Sequence, residues 1–215
     1  MAIKARSNHR AMIEDQFVIL SQMTEEIKYN FDKRIDKIEQ IAKEDAISQS
    51  DGDDIIFHSV LNNNSYQTEI QKSYDMIIQA RQIVFCAIYS YYETMLNRII
   101  IQYSLPAQKN EKKDAKSIIQ FINKDLSSKT NDNFDINDTF INDYCRLLRN
   151  HFMHGILSDI KKQQELTELS EYYGSVEYHI SDAYIIYNSF ITKVLKSIHN
   201  IIIYIDNAYS AISSL

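Results

Sequence analysis

Three glycines and one proline in 215 residues leave this chain few ways to turn sharply. Sheet-rich folds reverse direction often, and tight reversals draw on Gly and Pro for their backbone geometry. The scarcity argues against a β-sandwich or an α/β fold and points to long helices. The length suffices for one good-sized domain with a real core. Ile, Asn, Lys and Tyr are abundant and Trp is absent, a bias of the kind an AT-rich genome imposes.

The hydrophobic spacing agrees. From about 7 to 47, Ile13, Phe17, Leu20, Thr24, Ile27, Phe31, Ile35, Ile38 and Ala42 recur at three- and four-residue steps with charges between them. That predicts one long amphipathic helix with a narrow seam, a bundle or self-association helix. A turn at 50–54 follows; it lacks the spaced ligands and terminal Glu of a calcium loop. A short apolar element spans 55–60, and the Asn-rich 62–65 offers a helix cap. A second long helix runs from about 66 to 103, stopped by Pro106. Its apolar face carries Arg81, Val84, Phe85, Ile88, Tyr91, Tyr92, Met95 and Ile99, with Glu93 on the flank beside Tyr89 and Ile100. A shorter helix runs to about Leu126. The next begins at Asn137 or Asp138 and stops at Gly155. Residues 158–175 are polar and helix-prone, and 176–180 alternate as a brief extended segment. Ser181 or Asp182 then caps a closing helix to about Ser210, apolar nearly all round at 198–205 and so expected to be covered on two sides. The fold class is all-α, a helical bundle with a long N-terminal helix. Residues 1–50 form that helix, as an extension or a bundle member, and 55–215 form the helical domain, one compact unit in all.

The net charge of −6 is unlike a protein that coats nucleic acid with its general surface, so any such contact must be local. The densest basic patch is Lys109, Lys112, Lys113 and Lys116, with Lys112, Lys113 and Lys116 the expected phosphate contacts. Cys86 and Cys145 fall in apolar helical patterns and read as small buried hydrophobes. No signal-peptide core opens the chain, and the longest apolar run, 201–205, is too short for a bilayer. The expectation is a soluble, cytoplasmic protein without membrane contact. No His/Cys/Asp set has metal-ligand spacing, and no Walker loop, dinucleotide fingerprint or nucleophile elbow is present, so neither metal nor cofactor is expected.

One stretch concentrates potential chemistry: Arg149-Asn150-His151-Phe152-Met153-His154-Gly155. On a wheel its helix buries Ile141, Tyr144, Cys145, Leu148 and Phe152. Arg146, Arg149, Asn150, Met153 and His154 fall on the outer arc. An apolar Met153 among polar candidates suggests that something covers this face, such as a second subunit. An Arg-Asn pair followed four residues later by His arises only about 0.015 times by chance in a chain of this composition. A cation near a helix C-terminus is also favourable through the helix dipole alone.

The pattern Arg149-Asn150-x-x-x-His154 resembles the signature of HEPN domains. The run Ala87-Ile88-Tyr89-Ser90-Tyr91-Tyr92-Glu93, followed by Leu96-Asn97, is similar to the HEPN helix that carries an acidic residue near the site. The resemblance covers about 65–210 and implies an up-down helical arrangement that dimerises, bringing two motifs into one cleft. Many members are metal-independent endoribonucleases of toxin–antitoxin or anti-phage defence systems; others bind only a nucleotide or a partner protein. It implies His154 as general acid or base, Arg149 as stabiliser of phosphorane charge and Asn150 as orienting group. The products would be a 2′,3′-cyclic phosphate and a 5′-hydroxyl. The implied partners are RNA, a second copy of the chain, and an antitoxin or other defence-system protein. Arg146 and His151 form a second Arg-x4-His register; with Glu93 they are auxiliary candidates. Ile156 stands where members paired with nucleotidyltransferase antitoxins often carry Tyr. Two other readings stay open: a non-catalytic HEPN-like binding module, and a plain helical protein whose Arg149 and His154 face bulk solvent.

Overall fold

The computed structural model describes residues 2–105, 114–130, 133–136, 138–154, 160–173, 176–178 and 184–213. Its helices are α1 (Ala2–Ser50), α2 (Asp54–Leu61), α3 (Asn64–Gln102), α4 (Ala115–Thr130), α5 (Arg146–His154), α6 (Ile160–Tyr173) and α7 (Asn188–Ile212). A π-helical segment, Phe140–Cys145, leads directly into α5. Two short strands, β1 (Val176–Tyr178) and β2 (Tyr184–Ile186), form an antiparallel hairpin with Val176 opposite Ile186. The chain is therefore an all-α bundle with a long N-terminal helix and one small β-hairpin.

The seam of α1 behaves as its spacing requires. Ile13, Leu20, Thr24, Ile35 and Ala42 are buried, Phe17, Ile27, Phe31 and Ile38 are half-buried, and most residues between them are exposed. At 1.5 Å per residue, the 49 residues of α1 span about 74 Å. Cross-contacts give its direction. Arg98 lies against Met12, Tyr91 Oη donates to the Ile13 carbonyl (3.3 Å), Arg34 faces Glu69 (4.0 Å), and Tyr66 Oη donates to Asp45. Residue numbers on α3 fall as those on α1 rise, so the two helices are antiparallel.

The turn between them is built by side chains. Asp51 and Gly52 take positive φ values of 43° and 86°. Asp53 then caps α2, its carboxylate accepting from the Ile55 and Ile56 amides. Although apolar in sequence, α2 buries none of its residues. Asn63 caps α3. The far end of α3 closes before Pro106 is reached. Ser104 adopts the left-handed region (φ 49°), and the Leu105 amide reaches back to the Ile100 carbonyl at 2.9 Å, as in a Schellman cap.

The main core lies between α3, α4, α5, the π segment and α7, around Phe85, Ile88, Tyr92, Leu96, Ile141, Leu148, Phe190, Val194 and Ile202. As its pattern requires, α7 is covered on several sides: it packs on α1, α3, α4 and the π segment, with Ile198, Ile201, Ile202 and Ile205 buried.

Two expectations need correction, the start of the closing helix and the burial of Cys86. The closing helix begins at Asn188 with Tyr187 at its cap position; Ser181 and Asp182 lie outside the described residues, and β2 occupies 184–186. The alternating 176–180 stretch supplied one strand, but its partner, Tyr184-Ile185-Ile186, is too short and too apolar to be told from a helix start by period. Cys145 is fully buried, but Cys86 is only half-buried. Gly155, the expected helix stop, lies outside the described residues, and α5 is described as far as His154.

Candidate active site on α5

The site is anchored by the π segment, in which Phe140, Ile141, Asn142, Tyr144 and Cys145 are buried and Asp143 is half-buried. The expected regular helix from Asn137 or Asp138 is thus replaced at its start by a π turn. Asp138 does contribute there: its carboxylate accepts from the Ile141 amide at 3.2 Å. Asn137 lies outside the described residues.

From this anchor α5 continues with Leu147 and Leu148 in the core and Phe152 edge-on to Phe85, with centroids 5.9 Å apart. The outer arc and His151 divide in two. Met153 and His154 are exposed, whereas Arg146, Arg149, Asn150 and His151 are half-buried. Tyr89, placed with Glu93 on a flank of α3, is fully buried.

Arg149 is the best-held residue of the motif. Its Nη1 donates to Asn150 Oδ1 (3.1 Å), and its Nη2 lies 3.9 Å from Glu93 Oε2 on α3. Its Nε is buried with no hydrogen-bond partner. Glu93 reaches this position because α3 and α5 pack together through Phe85 and Phe152. Burial raises the Glu93 carboxyl above its ordinary pKa, Arg149 draws it back, and Asp114 pushes it up again. The site therefore holds a cation, a half-buried carboxylate and a carboxamide within one cluster, with an exposed imidazole four residues beyond Asn150.

The other candidates are placed differently. Arg146 Nε donates to the Asn142 carbonyl one turn earlier (3.2 Å), and its charge acts on Asp114 and Tyr89. His151 sits edge-on to Phe152 at 5.7 Å. Lys116 pairs with Asp143 of the π segment at 2.6 Å. Lys112 and Lys113 lie outside the described residues.

Sequence reasoning missed three neighbours. Asp114 carries a carboxyl that burial alone would raise; hydrogen bonds from Ser117, with Arg146 and Lys116 nearby, bring it below its usual value. Cys86 lies near Arg149; burial pushes its thiol up and the guanidinium opposes that. Asn142 accepts a buried hydrogen bond from Tyr92 Oη at 3.0 Å. Only the packing of α3 against α5 and of α4 against the π segment brings these groups together, and no local spacing announces them.

Among the described residues no three His, Cys, Asp or Glu side chains converge as a metal site. Nor, among them, is any helix long and apolar enough to cross a membrane. Comparison of the chain with protein-family models, with curated proteins and with solved structures returns no match.

Proposed function

We propose that the chain is a HEPN-type endoribonuclease of a toxin–antitoxin or anti-phage defence system, cleaving RNA without a metal at a site shared by two copies of the chain. The observation that carries the reading is the held guanidinium. Arg149 is fixed between Glu93 and Asn150 in the middle of α5, five residues before the exposed His154. A planar guanidinium matches phosphate oxygens in two places and favours the extra charge of a phosphorane. The buried Nε without an acceptor means that this side chain gains a hydrogen bond by turning toward an anion.

The reaction follows from the groups. A neutral His154 takes the proton of the ribose 2′-hydroxyl, a task suited to imidazole near neutral pH. The O2′–P bond forms as the P–O5′ bond breaks, the leaving 5′-oxygen takes a proton from a water molecule, and the hydroxide left behind takes the proton held on the His154 imidazolium. The products are a 2′,3′-cyclic phosphate and a 5′-hydroxyl. Asn150 orients a phosphate oxygen once Arg149 has turned.

The test is incubation of total RNA with the wild-type chain, His154→Ala and Arg149→Ala, with EDTA present throughout. Wild-type protein should cleave, and each variant should lose about a hundredfold or more of that activity. Full cleavage by His154→Ala overturns the proposal. A second reading, a module that binds a nucleotide or partner without cutting, draws on the pairing of Arg149 with a carboxylate 3.9 Å away. It predicts ligand binding with no cleavage by any form of the chain.

A further inference from the structure

Between α4, residues 133–136 and the π segment lies a polar cleft of about 370 Å³ that the groups discussed so far do not explain. Its size falls in the range of small-ligand sites. Four of its lining side chains, Lys116, Asn123, Asn142 and Asp143, each commit one polar atom to the protein and have further hydrogen-bonding capacity left over. Asn142 is 1% exposed; its Oδ1 accepts from Tyr92, and among the described residues nothing accepts from its Nδ2. Asn123 Oδ1 accepts from the Ile136 amide, which leaves its Nδ2 as a donor. Asp143 Oδ1 accepts from Lys116 Nζ, leaving Oδ2 and two ammonium hydrogens. The carboxylate of Asp135 also lines the cleft, and buried Ile119 gives it an apolar wall. Lys116, Asn123, Asn142 and Asp143 are each anchored by one of these bonds before any ligand arrives.

The unused valences define a ligand. Lys116 is already paired with Asp143, and Asp135 brings a further negative charge, so the cleft disfavours phosphate. It offers carboxylate acceptors on one side and carboxamide or ammonium donors on the other, beside an apolar wall. A flat group with adjacent N–H donors and a carbonyl or ring-nitrogen acceptor fits. Among nucleobases guanine uses this set most fully. Its N1–H and N2–H₂ meet carboxylates, and its O6 and N7 accept from Lys or carboxamide N–H. Uracil has one N–H to offer two carboxylates, and adenine has no carbonyl.

We infer that this cleft seats a guanine base of the RNA, close to the phosphate held at Arg149. The inference rests on the endoribonuclease reading for the identity of its ligand. The π segment joins the two places covalently: Asn142 and Asp143 lie one turn before Arg146 on a continuous helical path into α5. Single-stranded RNA is read in this manner, by hydrogen bonds to the exposed edges of unstacked bases. The endonuclease would then cut beside G.

The test uses nucleosides, which carry no phosphate and so bypass the Arg149 site. Guanosine, adenosine, cytidine and uridine are titrated into the full-length, isotope-labelled chain, and the side-chain amide resonances of Asn123 and Asn142 are followed by NMR. Guanosine should bind at least about tenfold more tightly than the other three and move both resonances. Asp135→Asn, an exposed change, and Asp143→Asn, which can still accept from Lys116, should each lose about tenfold in guanosine affinity. His154→Ala should keep it in full. Equal binding of all four nucleosides, no guanosine binding, or unchanged affinity in both Asp variants overturns the inference. The outcomes separate the two claims. Guanosine binding without RNA cleavage removes the nuclease and leaves a guanine site. Cleavage lost in His154→Ala but without preference for G removes the cleft's role alone.

Discussion

The carboxylate of Glu93 costs the fold something when it ionises. Burial raises its pKa above the ordinary value, and the Arg149 guanidinium 3.9 Å away only partly compensates. A raised carboxyl binds its proton more tightly in the folded chain than in the unfolded one. The fold is therefore favoured below the unfolded pKa and loses that advantage as pH rises through the folded value. Glu93→Gln keeps the shape and removes the charge. Its melting temperature should match the wild type near pH 4 and exceed it by about 1–3 °C at pH 7, with the gap opening as pH rises and then levelling. A variant that melts below the wild type at pH 7 would show that attraction to Arg149 outweighs desolvation. A residue that lowers stability yet stays beside a half-buried arginine fits a functional site better than a structural ion pair. The wheel put Glu93 on the right flank of α3, so this neighbour was legible. Asp114 and Cys86 were not, because their approach depends on how helices cross.

The π segment is the least legible element, and the reason is geometric. A 3.6-residue wheel assigns Phe140–Cys145 one buried face and one open face, and a sequence carries no mark of the place where a turn widens to i→i+5. Within it a polar residue, Asn142, lies in the core, where Tyr92 satisfies its oxygen. Tyr92→Phe removes that donor and leaves the Asn142 oxygen buried and unpaired. It should lower stability by about 1–2 kcal/mol, read as an earlier urea midpoint with an unchanged slope. A neutral result would mean that water replaces the hydroxyl. Elements whose period is regular over many turns fared better. The seam of α1, the apolar face of α3 and the covered stretch of α7 all fall where their spacing puts them. Three-residue strands are too short for any period to develop, so β2 was taken into the helix that follows it.

At the scale of the molecule, the packing leaves one end of α5 open. Helix α1 lies antiparallel to α3 and touches α7, where His199 Nε2 sits 3.5 Å from Glu14 and its ring rests 4.3 Å from Phe17. The inner face of α5 packs on α3, with the π segment and α6 beside it. Its outer arc keeps Met153 54% exposed next to an exposed His154. An apolar side chain in that position has no reason to face water if a second copy covers it, and a two-fold contact would bring each His154 toward the other chain's Arg149. If each site takes Arg149 from one chain and His154 from the other, neither Arg149→Ala nor His154→Ala has an intact site alone. A heterodimer of the two variants recovers one: its remaining arginine and remaining histidine meet across the interface. Random exchange makes about half of all dimers mixed, each with one working site of two, so the mixture should regain about a quarter of wild-type RNA cleavage. The check is to refold the two variants together, confirm dimers by light scattering, and assay cleavage against each variant alone. Recovery requires both that the site is catalytic and that it is shared. Mixed dimers with no activity, beside an active wild type, would confine Arg149 and His154 to a site within one chain and leave Met153 without a role in it.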